Sequence, residues 1–326
     1  MSLSRLWSFL RKPAVSLVLR VTVSALLLTY LVHLSAFSEI ARAFRRINPL
    51  YLLGFFALYF ASVFFTSVRW KTLLRAWDVQ ARLTTLLRYI LTGLFMNNFL
   101  PGSLGGDAYR LYSGARDTGK LEDVAATIFY ERVLSYASLV TLGLVALSTH
   151  PRHADDWLFW LILIGALIGL LTLAAVSSIP VFEQWINSLM ERFSFARKLR
   201  LNDWLKSFQF KVRHPAMLIS VFLLSFLIQI TDVFAFSLVA AAIQLPVTLH
   251  DLFLFVPLLY LAILLPLSLN GIGIRESVFV LFAASWGILA ADAVAFSLTV
   301  FALNLAGSLV GGVVYWFDRP AKKSVQ

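Results

Sequence analysis

Apolar residues along this chain fall into runs of about twenty, separated by shorter polar stretches. Six runs, residues 14–33, 49–68, 124–147, 157–180, 216–243 and 291–317, are long enough to cross a hydrocarbon core of about 30 Å as helices. Two further apolar regions, 84–118 and 251–289, are each broken near the middle by proline and glycine. Proline lacks a backbone donor and glycine is too flexible to hold a helix, so each region is predicted to be two half-helices meeting at a turn.

The two breaks match each other. Leu100-Pro101-Gly102-Ser103-Leu104-Gly105-Gly106 and Leu265-Pro266-Leu267-Ser268-Leu269-Asn270-Gly271 both fit L-P-x-S-L-x-G-x-x-x-R, ending at Arg110 and Arg275. Every matched position is offset by 165 residues, and the flanking runs keep nearly the same offset. The expected fold is an all-α polytopic membrane protein of two inverted repeats, each with three transmembrane helices and one broken re-entrant helical hairpin. The first repeat takes residues 1–150 and the second 151–326. Three spans per repeat is an odd number, which turns the second repeat upside down.

Basic residues set the orientation. With the N-terminus inside, the loops and ends assigned to the cytoplasm hold 21 Lys and Arg, including Arg69, Lys71, Arg75, Arg82 and Arg116, against 4 outside. This is the bias of a multi-pass protein of the inner (cytoplasmic) membrane with both termini in the cytoplasm. The linker 181–214 is basic with interleaved Trp185, Leu189, Phe193, Leu201 and Leu205, the pattern of a helix lying on an anionic leaflet or, as the competing reading, of a solvated basic loop. Trp70, Trp77, Trp157, Trp160 and Trp316 fit an interfacial belt.

Composition agrees with a membrane protein. Of 326 residues 60% are hydrophobic, only 14% are charged, and the mean hydropathy is +0.81; a soluble domain carries about 25% charged residues. The net charge of +11 reads as cytoplasmic basic residues, not as a nucleic-acid surface. Cysteine is absent, and the five histidines sit in loops or at span ends, so no disulfide, thiolate metal site or cofactor is expected.

Charged residues inside apolar runs are costly and functional by default. Glu131 and Arg132 lie inside the third span, about 10 Å from its start. Being adjacent on a helix they point about 100° apart, so each needs a partner elsewhere. Asp107 and Arg110 share a helical face, and Arg275 with Glu276 holds the equivalent place in the second half. Gly105-Gly106 and Asn270-Gly271, with Gly273 just beyond, would open the second arms of the hairpins, where backbone N–H groups and the helix dipole favour an anion; tight helix packing is the competing reading of these glycines. Asn97 and Asn98 end the first arm. Glu131 is expected to neutralise a hairpin arginine while Arg110 or Arg132 meets a lipid phosphate; a closed structural network is the competing reading. Asp232, in the fifth span, is the candidate for proton coupling.

The stretch Asn97-Asn98-Phe99-Leu100-Pro101-Gly102-Ser103-Leu104-Gly105-Gly106-Asp107, the downstream Glu131-Arg132, and Gly271-Ile272-Gly273-Ile274-Arg275-Glu276 resemble the membrane domain of bacterial lysylphosphatidylglycerol synthases. That domain also occurs alone in flippase-like membrane proteins. The likeness covers nearly the whole chain and implies translocation of an anionic or modified phospholipid between leaflets. A stand-alone form is expected, without a synthase domain beyond Gln326, so the substrate does not carry over. Phosphatidylglycerol derivatives, cardiolipin, other phospholipids and isoprenoid- or sugar-linked lipids all stay open. The expected partners are membrane phospholipids and a lipid-modifying enzyme acting upstream. Three rivals remain: a secondary transporter of a small polar solute coupled through Asp232, a membrane enzyme modifying a lipid head group through Asp107 or Glu131, and a scaffold for a biosynthetic enzyme. The enzyme reading lacks a Walker A loop, a usable histidine and a donor-binding domain.

Overall fold

The computed structural model describes residues 48–98, 104–150, 153, 155–178, 215–264 and 273–317. The first predicted span, residues 99–103 and 265–272 of the two breaks, and the linker 181–214 lie outside them. The described residues form helices and no strand: α1 (Pro49–Ala76), α2 (Leu83–Met96), α3 (Leu104–Thr118), α4 (Leu121–Thr149), α5 (Trp157–Ser178), α6 (Pro215–Ala242), α7 (Leu249–Leu264), α8 (Ile274–Ser285) and α9 (Ala290–Phe317). Among them α1, α4, α6 and α9 are long and apolar enough to cross a membrane. This is a helical, multi-pass membrane protein. Each broken region gives two helices, α2 with α3 and α7 with α8. Pro215 follows Pro49, and Leu249 follows Leu83, by the same interval.

Helix ends follow local chemistry more closely than hydropathy does. The apolar run of α1 stops near residue 68, yet the helix continues to Ala76. It is closed there by Asp78 in the left-handed region (φ 54°), with the Val79 N–H donating to the Leu74 carbonyl at 2.9 Å. This end takes up carbonyls that the helix cannot satisfy itself. The N-terminus of α7 is closed by Thr248 and Asp251: Asp251 Oδ2 accepts from the Thr248 N–H at 2.8 Å, and Thr248 Oγ1 accepts from the Asp251 N–H at 3.2 Å. That reciprocal pair is a capping box.

The described residues divide into two compact units. One takes the segment ending at Phe60, Leu91–Gly106 and the segment beginning at Asp232. Its core holds the rings of Phe255, Phe279, Phe282, Trp286 and Phe296, with Phe279 stacked on Phe296 at 4.4 Å between centroids. Here helices approach closely through glycine. Gly311 of α9 lies against the Leu91 carbonyl, and a Cβ on Gly106 would stand 2.7 Å from the Gly93 carbonyl oxygen and 3.0 Å from the Asn97 amide. A methyl group cannot fit there without moving backbone. Gly106→Ala is therefore expected to lower stability by about 1–3 kcal/mol, seen as a lower thermal midpoint in detergent. Gly165→Ala is the comparison, since a Cβ there meets nothing within 4 Å; its midpoint should hold or rise slightly, because alanine favours the helix.

The other unit takes Ala61–Ile90 and Asp107–Thr231. Its core is built on the last turns of α1, where Trp70, Leu73, Leu74 and Trp77 are buried with Val124, Ala126 and Tyr130 of α4. Trp70 and Trp77 are thus core residues, not the interfacial belt that the sequence suggested. The Trp70 indole N–H finds Thr127 Oγ1 at 3.2 Å, and the Trp77 ring lies 5.5 Å from that of Tyr130. With its polar handle satisfied, an indole gains more from burial than from an interface. Trp157 and Trp316 are exposed, as a belt requires.

Candidate functional site

Three helices of the second unit bring five charged side chains together: Arg69 of α1, Asp107 and Arg110 of α3, and Glu131 and Arg132 of α4. Glu131 and Arg132, adjacent in sequence, turn to different partners as their 100° offset requires. Glu131 is buried, with a side chain 5% exposed. Its Oε1 accepts from Arg69 Nη2 at 2.7 Å and from Arg110 Nη1 at 3.3 Å, and its Oε2 from Arg110 Nη2 at 2.5 Å. Arg132 donates through Nη2 to Asp107 Oδ2 at 2.7 Å, while Asp107 Oδ1 also meets Arg110 at 3.4 Å. Each carboxylate is therefore shared by two arginines. This redundancy stems from the spacing in α3, which sets Asp107 and Arg110 on one face.

Arg69 is anchored a second time. Its Nη1 donates to Ser135 Oγ at 2.7 Å and to Ser225 Oγ at 3.0 Å. Arg110 lies over Trp70, its Cζ 4.1 Å from the ring centroid, where the π face favours a cation. Despite these contacts both arginines keep a buried Nε with no hydrogen-bond partner. A buried donor left unmade costs about 1–3 kcal/mol, so such groups are uncommon and call for a cause. The five side chains comprise three guanidinium groups and two carboxylates. Arg132 is the most open of them, its side chain 39% exposed. Trp70 also lines a cavity of about 170 Å³ with Leu86, Tyr89, Gly114, Asp117 and Val124, in which the Tyr89 hydroxyl donates to Asp117.

The other candidates lie in the first unit. The Asn97 side-chain oxygen accepts from the Gly106 N–H at 2.6 Å, so that N–H already has its acceptor, and the glycine is demanded by packing. Gly105 is buried beside it. Asn98 donates to Ser308 Oγ at 2.8 Å. Gly273 stands at the N-terminus of α8 with φ 88°, a left-handed conformation that glycine adopts without strain. Its N–H donates to Glu276 Oε2 at 2.6 Å. The other oxygen of Glu276 accepts from Arg275 Nη2 at 2.6 Å and from Ser297 Oγ at 3.1 Å, and the Arg275 guanidinium lies over Phe301 at 4.9 Å. Arg275 and Glu276 thus hold each other, in a compact buried cluster. Asp232 accepts from the Tyr260 hydroxyl at 3.2 Å. Gly271 lies outside the described residues. Among the described residues, no three histidine or acidic side chains converge as a metal site would need.

Arg69 does not stand out in the sequence, where it falls among the cytoplasmic charges at the end of a span. Its position one residue past the apolar run looks like any basic flank. The signal is the chain just beyond it: Trp70, Leu73, Leu74 and Trp77 continue an apolar stripe at helical spacing, which carries Arg69 inward with the helix.

The family model of the lysylphosphatidylglycerol synthase TM region matches residues 17–312. One UPF0104 membrane protein of Methanothermobacter thermautotrophicus is 22% identical over 272 residues, covering 77% of this chain and 80% of its own length. Another from that organism is 22% identical over 207 residues, 63% of this chain and 58% of its own length, so the chain spans less than two thirds of that relative. A UPF0104 membrane protein of Methanocaldococcus jannaschii is 30% identical over 122 residues, 36% of this chain and 35% of its own. No solved structure matches the chain. The buried charges and close glycines described above thus sit within residues 17–312, and this chain belongs to the family of the lysylphosphatidylglycerol synthase transmembrane region.

Proposed function

We propose that this protein is a lipid translocase of the inner membrane, which carries an anionic phospholipid between leaflets by holding its phosphate at the Arg69–Arg110–Arg132 cluster. One observation carries the reading. Two buried arginines, Arg69 and Arg110, each keep an Nε donor unused, and an incoming phosphate, with several acceptor oxygens, is a group that can take such donors. The Arg275–Glu276–Ser297 cluster contrasts with it, because there the Arg275 Nε is used, donating to Ser297 Oγ at 2.9 Å and to Glu276 Oε1 at 3.2 Å. The family to which the chain belongs fits a lipid-related role. The helix pairs α2–α3 and α7–α8, and the equal intervals between α1 and α6 and between α2 and α7, support two inverted repeats with re-entrant hairpins. In this arrangement both chain termini face the cytoplasm.

Leaflet accessibility in proteoliposomes tests the proposal. Vesicles holding only this protein and a trace of head-group-intact, chain-labelled phosphatidylglycerol are treated with an impermeant quencher. The protected fraction, about half in protein-free vesicles, should fall toward zero over minutes. A protected fraction equal to that of protein-free vesicles overturns the proposal.

A further inference from the structure

We propose that Glu131 is the resident counter-ion of the phosphate site: its carboxylate occupies the position that the lipid phosphate takes, and the two exchange during transport. The inference rests on reading the arginine cluster as the phosphate site. Three N–H groups converge on the Glu131 carboxylate, two of them from the Arg110 fork at 3.3 and 2.5 Å and one from Arg69 at 2.7 Å. A guanidinium fork grips a carboxylate and a phosphate in the same way, since both offer a pair of anionic oxygens. The donor set around Glu131 is therefore one that a phosphate can use unchanged.

Both arginines stay in place when the carboxylate leaves. Arg69 is held by Ser135 and Ser225, from α4 and α6, and Arg110 by Asp107 and the face of Trp70. Their unused Nε atoms fit an exchange as well. A carboxylate has two oxygens to offer, whereas a phosphodiester adds ester oxygens and a wider tetrahedral shape, so donors idle against Glu131 gain acceptors against lipid. Exchange also settles a difficulty of any carrier. The site must bind a phosphate, yet not so tightly that release into the second leaflet stalls. An internal competitor lowers affinity without removing donors, and it neutralises the buried guanidinium groups whenever no lipid is bound.

The test is a titration of the purified full-length protein in detergent with dihexanoyl phosphatidylglycerol, with dihexanoylglycerol, which has no phosphate, as the control. Glu131→Gln removes the competing charge and should tighten phosphatidylglycerol binding by at least about tenfold, leave dihexanoylglycerol unchanged and slow translocation. A scaffold role for Glu131 predicts the opposite, a loosened site that binds less. Because Glu131→Gln also makes the cluster more positive, a second variant that keeps the net charge separates the loss of the competitor from the stronger field. Glu131→Asp keeps the charge but draws it back by one methylene; it should bind a few-fold tighter, and it decides the matter if the glutamine variant does not fold. Unchanged or weaker binding in the folded variants overturns the counter-ion role even if the wild type translocates lipid. Absence of both phosphatidylglycerol binding and translocation in the wild type overturns the lipid reading itself.

Discussion

Arg110→Gln is expected to leave a folded, monodisperse protein whose lipid translocation has fallen by about ten- to a hundredfold. The reason is the sharing of carboxylates. Without Arg110, Glu131 keeps Arg69 at 2.7 Å and Asp107 keeps Arg132 at 2.7 Å, so no buried carboxylate loses its last cation. The phosphate, however, loses the fork that lies on Trp70. A charge-assisted hydrogen bond contributes about 1.5–3 kcal/mol, which sets the size of the loss at about one to two powers of ten. Size-exclusion profile and thermal midpoint report the fold, and the quenching assay reports transport. A variant that transports at the wild-type rate would remove Arg110 from the phosphate site. A variant that fails to fold would make the cluster a closed scaffold, the competing reading of the sequence.

Glu276→Gln should behave in the opposite way, with a large loss of stability. Glu276 is fully buried, and its carboxylate joins Arg275, Ser297 and the Gly273 N–H. An amide keeps the size and one acceptor but leaves the buried Arg275 guanidinium without the carboxylate. Breaking a buried pair from one side costs about 3–5 kcal/mol, a large part of the 5–15 kcal/mol that holds a typical protein together. Yield of monodisperse protein and a thermal midpoint lowered well below that of Arg110→Gln are the expected readouts. A midpoint within a degree or two of the wild type would show that this cluster bears little of the fold.

The helical, membrane-spanning character of the chain was legible because twenty-residue apolar runs leave no other economical structure in a bilayer. Asp107, Arg110, Glu131 and Arg132 were legible for a related reason, as ionisable groups stand out against apolar surroundings. Their pairing was legible only in part. The i, i+3 contact of Asp107 with Arg110 follows from helix geometry, but Arg69 and the two serines that anchor it come from α1, α4 and α6, and no local spacing links them. The role of Gly106 was also hidden. Sequence shows that glycine stands at a break; it cannot show that another glycine, Gly93, approaches from the facing helix, or that Asn97 accepts the N–H that would otherwise stay open to a ligand. Tryptophan misled, since Trp70 and Trp77 have the spacing of an interfacial belt and the burial of a core. What separates the two is the acceptor on Thr127, a tertiary fact.

The glycines of α9 have a mechanical consequence. Gly307 meets the Tyr59 ring, Gly311 the Leu91 carbonyl and Gly312 the Phe95 ring, and Ser308 accepts from Asn98 in the same register. Between Gly311 and Leu91 the contact is backbone to backbone, with no side chain whose rotamers could yield. Two helices meshed in this way resist sliding as gear teeth do. The α9 helix and the C-terminal half of α2 therefore form a splint, and any rearrangement of these helices has to move the splint whole and bend the chain somewhere else.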